Sequence, residues 1–93
     1  METEIKDRQF CPICAAEIKV VLRYPNYVCR SCASKASSAD GRRLNFYNES
    51  LSGGFLAFFA DTNEPYDSHV CFIEGVQCRA DQAHFGGIVI EKM

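Results

Sequence analysis

The chain has 93 residues, of which 47% are hydrophobic and 24% charged, with a net charge of −2. This is the balance of an ordinary globular protein, and no apolar run approaches the ~20 residues that a membrane-spanning helix needs. The length predicts one domain over residues 1–93, with a modest core.

The first ten residues, METEIKDRQF, are polar and acidic, without the apolar stretch of a secretory signal peptide. We therefore expect a cytoplasmic location, in which stable disulfides are rare. Residues 1–43 hold eight Lys and Arg against five acids, a balance of +3, whereas residues 44–93 hold two against seven, a balance of −5. The acidic half would repel nucleic acid.

Two pairs of cysteines open the chain, in FCPICAAE (10–17) and VCRSCASK (28–35). Each pair is C-x₂-C, and 14 residues separate them. The four candidate ligands are Cys11, Cys14, Cys29 and Cys32. Zn²⁺ favours four such ligands in a tetrahedron, and a site made only of thiolates leaves no position open for substrate. The pattern predicts one structural Zn²⁺ ion, although the ligand set alone does not exclude iron.

The two motifs CPIC and CRSC resemble the knuckles of zinc-ribbon modules over residues 10–33. That resemblance implies a hairpin whose tip contacts bases or a protein partner, here Arg23, Tyr24 and Tyr27. The whole chain is also similar to small uncharacterised bacterial proteins with an N-terminal cysteine-knuckle module and an FGGIVI-type end. This second resemblance implies no particular activity.

The segment between the cysteine pairs predicts the ribbon hairpin. IKVVLR (18–23) is rich in β-formers, YPN (24–26) is a turn signal, and YVC (27–29) leads back. An alternative is a helix over SCASKASSAD (31–40), ending at Gly41, which would make the site treble-clef-like. The pattern slightly favours the ribbon. Ala15 and Ala33 follow the two pairs where glycine is usual, and a positive φ there would cost about 1 kcal/mol.

The second half of the chain predicts a small, mostly antiparallel sheet over residues 44–91, packed against the zinc-binding module of residues 10–33. Four or five strands are expected, and FLAFFA is the most apolar of them and should be buried. The candidate strands are LNFY (44–47), FLAFFA (55–60), SHVCFI (68–73), VQCRA (76–80) and GIVIE (87–91).

Glu74-Gly75 is a two-residue hairpin signal. This register sets Cys71 opposite Cys78 and His69 opposite Ala80, all on one face. The face holds a candidate second metal site, formed by His69, Cys71, Cys78 and His84. The favoured interpretation is that the two cysteines are small buried hydrophobes on the core face, and a redox-sensitive or disulfide pair is a further alternative.

Six aromatic residues form a candidate recognition surface: Phe46, Tyr47, Phe55, Phe58, Phe59 and Tyr66. Neighbours in a strand face opposite ways, so Phe58 or Phe59 would be exposed if one side of the strand meets solvent. We expect a zinc-stabilised, non-enzymatic module that binds a protein partner through this aromatic face or the acidic half. No catalytic or cofactor-binding residue and no membrane partner is predicted.

Two other functions stay open. The first is a nucleic-acid-binding zinc ribbon, which would use Arg23, Tyr24, Tyr27, Arg30, Arg42 and Arg43. The second is a small hydrolase or redox protein built on Cys71, Cys78 and His84, for which the sequence offers no nucleophile elbow.

Overall fold

The structure, a computed structural model, describes residues 8–49, 54–83 and 87–93. The elements in chain order are β1 (Gln9–Phe10), β2 (Glu17–Ile18), α1 (Arg30–Ala33), β3 (Leu44–Glu49), β4 (Gly54–Phe59), β5 (Val70–Ile73), β6 (Val76–Gln82) and β7 (Ile88–Lys92). The strands that are hydrogen-bonded to each other, β1–β2, β3–β4, β5–β6 and β6–β7, are all antiparallel. The predicted fold class, a small and mostly β protein with one short helix, is confirmed.

The expectation of one sheet with four or five strands is wrong. The second half forms a two-stranded sheet, β3–β4, and a three-stranded sheet, β5–β6–β7. Segments from the first half occupy the outer edges of the larger sheet. Ser37 exchanges two backbone hydrogen bonds with Phe72 of β5, at 2.9 and 2.8 Å, and Val28 N–H donates to Ile90 O of β7 at 2.9 Å. Because these edges are taken, β3–β4 cannot join the sheet there.

The β5–β6 hairpin has the predicted register, with Ile73 opposite Val76 and Cys71 opposite Cys78. Its turn has positive φ at both central residues, 49° at Glu74 and 80° at Gly75. Positive φ at both positions is the signature of a type I′ turn, which matches the twist of the flanking strands. One face of the hairpin lies in the core.

The β3–β4 hairpin also separates two faces, as its alternating pattern requires. Leu44 and Ala57 are buried on the inner face, whereas Tyr47 and Leu56, which lie opposite each other, are 49% and 38% exposed. The expectation that FLAFFA is a fully buried strand is therefore wrong, because only alternate side chains face inward.

The cysteine motifs and the larger sheet share one hydrophobic core. Cys11, Val28 and Cys32 belong to the same buried cluster as Cys71 and Ile73. The single helix in the described residues has four residues and is far too short to cross a membrane.

Candidate metal centre

The four cysteines of the two motifs converge. The Sγ atoms of Cys11, Cys14, Cys29 and Cys32 all lie within 4.8 Å of one another. The Sγ atoms of Cys14 and Cys29 are 3.7 Å apart. A tetrahedron with Zn–S bonds of about 2.3 Å has edges of about 3.8 Å. The spacing therefore fits a single metal ion bound by four thiolates.

The first knuckle is a tight turn between β1 and β2. Cys11 N–H donates to Ala16 O at 2.8 Å, and Ala15 N–H donates back to Cys11 O at 2.9 Å. Ile13 N–H points at the Cys11 sulfur, 3.4 Å away. Closing this turn forces Ala15 to a φ of 66°. The expected strain at Ala15 is confirmed, whereas Ala33, which lies in α1, does not share it.

Replacing Ala15 with glycine should stabilise the protein. The left-handed conformation costs an L-residue about 1–2 kcal/mol, and glycine removes this cost. Glycine also raises the conformational entropy of the unfolded chain, which offsets part of the gain in stability. We expect the free energy of unfolding of Ala15→Gly to rise by about 1 kcal/mol, measured by chemical denaturation at fixed zinc concentration.

Ala16→Gly is the matched control for that substitution. Ala16 is exposed and has no positive φ, so glycine there only adds unfolded-state entropy and should lower stability slightly. Equal effects of the two substitutions would show that Ala15 stores no strain.

The second knuckle opens a helix instead of completing a ribbon. Cys29 is the N-cap of α1, and its sulfur accepts a hydrogen bond from Cys32 N–H at 3.4 Å. Cys29 N–H donates to the Cys11 sulfur at 3.3 Å, which ties the knuckles together. The preference for a ribbon is therefore wrong at the second knuckle, and the alternative that predicted a helix there is closer to the structure. The helix ends at Ala33, however, so the predicted cap at Gly41 is also wrong: Gly41 N–H closes a turn onto Ser38 O at 2.9 Å.

The predicted hairpin over residues 18–29 does not form. After β2 the chain turns, with Tyr24 N–H bonded to Val21 O at 3.1 Å, and Pro25 removes one strand donor. The buried side chain of Gln9 holds this loop: its amide donates to Tyr24 O at 3.0 Å and accepts from Val21 N–H at 2.9 Å. Tyr27 then pairs with Glu91. Nothing in the sequence marks Gln9 for this role.

The electrostatics of the cluster favour a bound cation. Burial raises the pKa of the Cys11 thiol, but backbone N–H groups, among them those of Ile13 and Cys29, bring this pKa down to about 6. Burial raises the pKa of Cys32, and hydrogen bonds to the neighbouring sulfurs raise it further. Deprotonating the Cys32 thiol beside the other sulfurs therefore needs a positive charge between them, which a divalent ion supplies.

The candidate second site is only partly within the described residues, because His84 lies outside them. Cys71 and Cys78 are 0% exposed and opposite each other, and burial raises the pKa of Cys71 to about 12. His69 stacks on Phe55 and its Nδ1–H donates to Ala80 O at 2.7 Å. In the described part of the chain, only the first four cysteines form a group of three or more candidate ligands. The second site stays a prediction.

The six cysteines all fall within the described residues, and none is in a disulfide. Arg42, one of the candidate nucleic-acid contacts, bonds to Asp61 at 3.0 Å and lies 3.9 Å above the ring of Phe59. Arg30 and Arg43 instead line one groove together with Tyr27. Sequence reasoning named these residues but missed the groove, because they are brought together by tertiary packing.

The fold and the centre define a small, mostly β protein with a four-cysteine cluster that could hold a metal ion. No family model matches the chain, and neither the curated proteins nor the solved structures provide a match. The resemblance to zinc ribbons and the similarity to small bacterial proteins both stay predictions.

Proposed function

We propose that this protein is a zinc-stabilised, non-enzymatic module that binds a protein partner. The observation that carries the proposal is the placement of the cysteine centre: Cys11 and Cys32 are each 2% exposed and lie in the shared core. A site that is completed by four thiolates has no free coordination position for a reacting molecule. Its contribution is to folding, and binding is left to the surface. Zn²⁺ is the metal that suits this ligand set and geometry.

The outer face of β3–β4 is the surface that suits a partner. Tyr47 and Leu56 are exposed, and the rings of Tyr47 and Phe58 are 5.8 Å apart. Tyrosine and phenylalanine bury large areas at small entropic cost, which makes exposed aromatic pairs common anchors of protein interfaces. The acidic loop containing Asp61 and Glu64 adjoins the face, since Phe58 is bridged to Pro65. A partner with a basic rim around an apolar centre would complement it.

Substitutions on this face should weaken partner binding and leave the fold intact. We expect Tyr47→Ser combined with Leu56→Ser to reduce at least tenfold the partner that co-purifies from cells, because exposed anchors commonly contribute about 1–2 kcal/mol each. The measurement is quantitative mass spectrometry of the protein purified from its native cells.

Leu22→Ser provides the control, because Leu22 is 75% exposed in the loop that follows β2, outside β3 and β4, and loses the same kind of apolar surface. The partner should be retained by this variant. If the unmodified protein, the double variant and Leu22→Ser all recover the same amount of partner and melt at the same temperature, the β3–β4 face is not the binding surface.

A further inference from the structure

A groove of about 710 Å³ separates β3 from β7 and α1. We call it the β3–β7 groove. It is lined by Arg30, Arg43, Leu44, Phe46, Ile88 and Ile90, among others. Its volume falls in the range of about 300–1,000 Å³ that is typical of ligand clefts. Two of its lining residues, Arg30 and Arg43, are basic, whereas residues 44–93 of the sequence have a charge balance of −5.

One wall of the groove is the edge of β3 that faces away from β4, and among the described residues this edge has no partner at Phe46. In an antiparallel pair, the N–H and C=O of a residue point to the same side. Ala57 lies opposite Phe46, and its carbonyl accepts Tyr66 N–H at 2.8 Å on the side away from β3. Phe46 must therefore direct its own N–H and C=O away from β4, into the groove. Leu44 has the same orientation, and its N–H already bonds Ala36 O at 3.0 Å.

The opposite wall is the end of β7. Ile90 O accepts Val28 N–H at 2.9 Å, and Lys92 N–H donates to Asn26 O at 3.0 Å, both on the side away from β6. The backbone N–H and C=O of Ile88, two residues before Ile90, also point away from β6. Ile88 lies beyond the two hydrogen bonds that Asn26 and Val28 form with β7. In the described residues β3 and β7 belong to separate sheets. The groove thus exposes backbone donors and acceptors on both walls.

The charge in the groove is positive. Arg30 and Arg43 line it, and no described carboxylate does. The Nη1 of Arg43 donates to Ser34 O at 3.0 Å, a neutral acceptor. Among the described residues, neither arginine forms an ion pair, whereas Arg8, Arg42 and Arg79 each do. Two uncompensated guanidinium groups beside an open strand edge favour an acidic ligand in extended conformation.

We propose that the β3–β7 groove binds an extended acidic peptide, which adds as a strand to the open edge of β3 and sets its carboxylates against Arg30 and Arg43. The peptide becomes the third strand of the β3–β4 sheet, and its alternate side chains contact the apolar lining. This inference rests on the proposed function, since it names the partner segment and its chemistry. Arg30 and Arg43 would also contact phosphates, but only a peptide backbone pairs with a strand edge residue by residue, so we favour a peptide and make an oligonucleotide an outcome of the test.

Fluorescence anisotropy with synthetic ligands tests the proposal on the zinc-loaded, full-length protein. The probe is a labelled heptapeptide that alternates glutamate with valine. We expect it to bind with Kd below about 100 µM, and a version with lysine in place of glutamate to bind at least tenfold more weakly. A third version, N-methylated at alternate residues on the edge that would face β3, should also lose at least tenfold, because it cannot donate the strand hydrogen bonds.

Arginine variants locate the site. Arg30→Gln and Arg43→Gln together should weaken binding of the acidic peptide about tenfold, since each exposed ion pair contributes up to about fivefold. Arg23→Gln is the matched control, because Arg23 is exposed but does not line the groove, and it should leave Kd unchanged. Melting curves and zinc content confirm that the variants fold. If Arg43→Gln disturbs its bond to Ser34, Arg30→Gln alone should still weaken binding by up to about fivefold.

Four results would overturn the proposal. These are no binding of the acidic peptide up to about 1 mM, equal binding of the N-methylated peptide, tighter binding of a single-stranded oligonucleotide of equal charge, or self-association of the chain that the two arginine substitutions abolish. Failure here is distinguishable from failure of the proposed function. If the double variant Tyr47→Ser and Leu56→Ser loses the partner but the acidic peptide does not bind, the proposed function is supported and the proposal for the β3–β7 groove fails.

Discussion

Replacing Cys14 with serine should release the metal and destabilise the whole fold, because the metal centre shares its core with the larger sheet. Structural zinc contributes about 10–16 kcal/mol in small metal-dependent domains, so an equal share for each of four ligands is about 2.5–4 kcal/mol. The total stability of a domain this size is only about 5–15 kcal/mol. We expect the zinc content to fall from one ion per chain towards none, and the melting temperature to drop by at least about 10 °C. Elemental analysis and circular dichroism measure these changes.

Cys14 is the ligand that makes this experiment interpretable. It is exposed, so its replacement by serine opens no cavity and removes little buried surface, unlike a change at Cys11 or Cys32. Ala16→Ser, which adds a hydroxyl at an exposed position of the same turn, is the matched control and should melt like the unmodified protein. A Cys14→Ser protein that melts unchanged would contradict a folding role for the metal. Two equivalents of zinc in the unmodified protein, one of which survives in Cys14→Ser, would support a second site at His69, Cys71, Cys78 and His84.

Local patterns in the sequence predict much of this fold. The two C-x₂-C pairs predict the convergence of four thiols, because the chemistry of the metal leaves few other arrangements. The Glu74-Gly75 turn predicts the register of β5 and β6, because a two-residue turn leaves no freedom in the pairing. Both predictions depend on residues that are close in sequence or share one ligand.

Predictions that depended on long-range competition were less successful. IKVVLR has the composition of a strand, yet only Ile18 remains in one, because Gln9 binds the following loop and Tyr27 pairs with Glu91. The division of the second half into two sheets likewise depends on which segment pairs with each strand edge. Ser37, in a stretch with helical propensity, takes the edge of β5. Strand propensity contains no information about such partners.

Shared burial predicts that the metal centre and the larger sheet unfold together. Ile73 is 0% exposed and belongs to the same cluster as the ligands Cys11 and Cys32. Removing atoms from its side chain therefore weakens the packing beneath the metal site as well as the hairpin. A truncation here should change the behaviour of the metal, although Ile73 is 41 residues from the nearest cysteine ligand in sequence.

Ile73→Ala should lower the free energy of unfolding by about 3 kcal/mol, within the 2–5 kcal/mol usual for an aliphatic side chain truncated in a packed core. Thermal melting followed by near-ultraviolet circular dichroism should coincide with zinc release to a coloured chelator, both shifted to lower temperature. Leu22→Ala, at a position that is 75% exposed, should change stability by less than about 0.5 kcal/mol. Two separate transitions in Ile73→Ala, with the sheet melting while zinc stays bound, would show that the centre and the sheet are independent units.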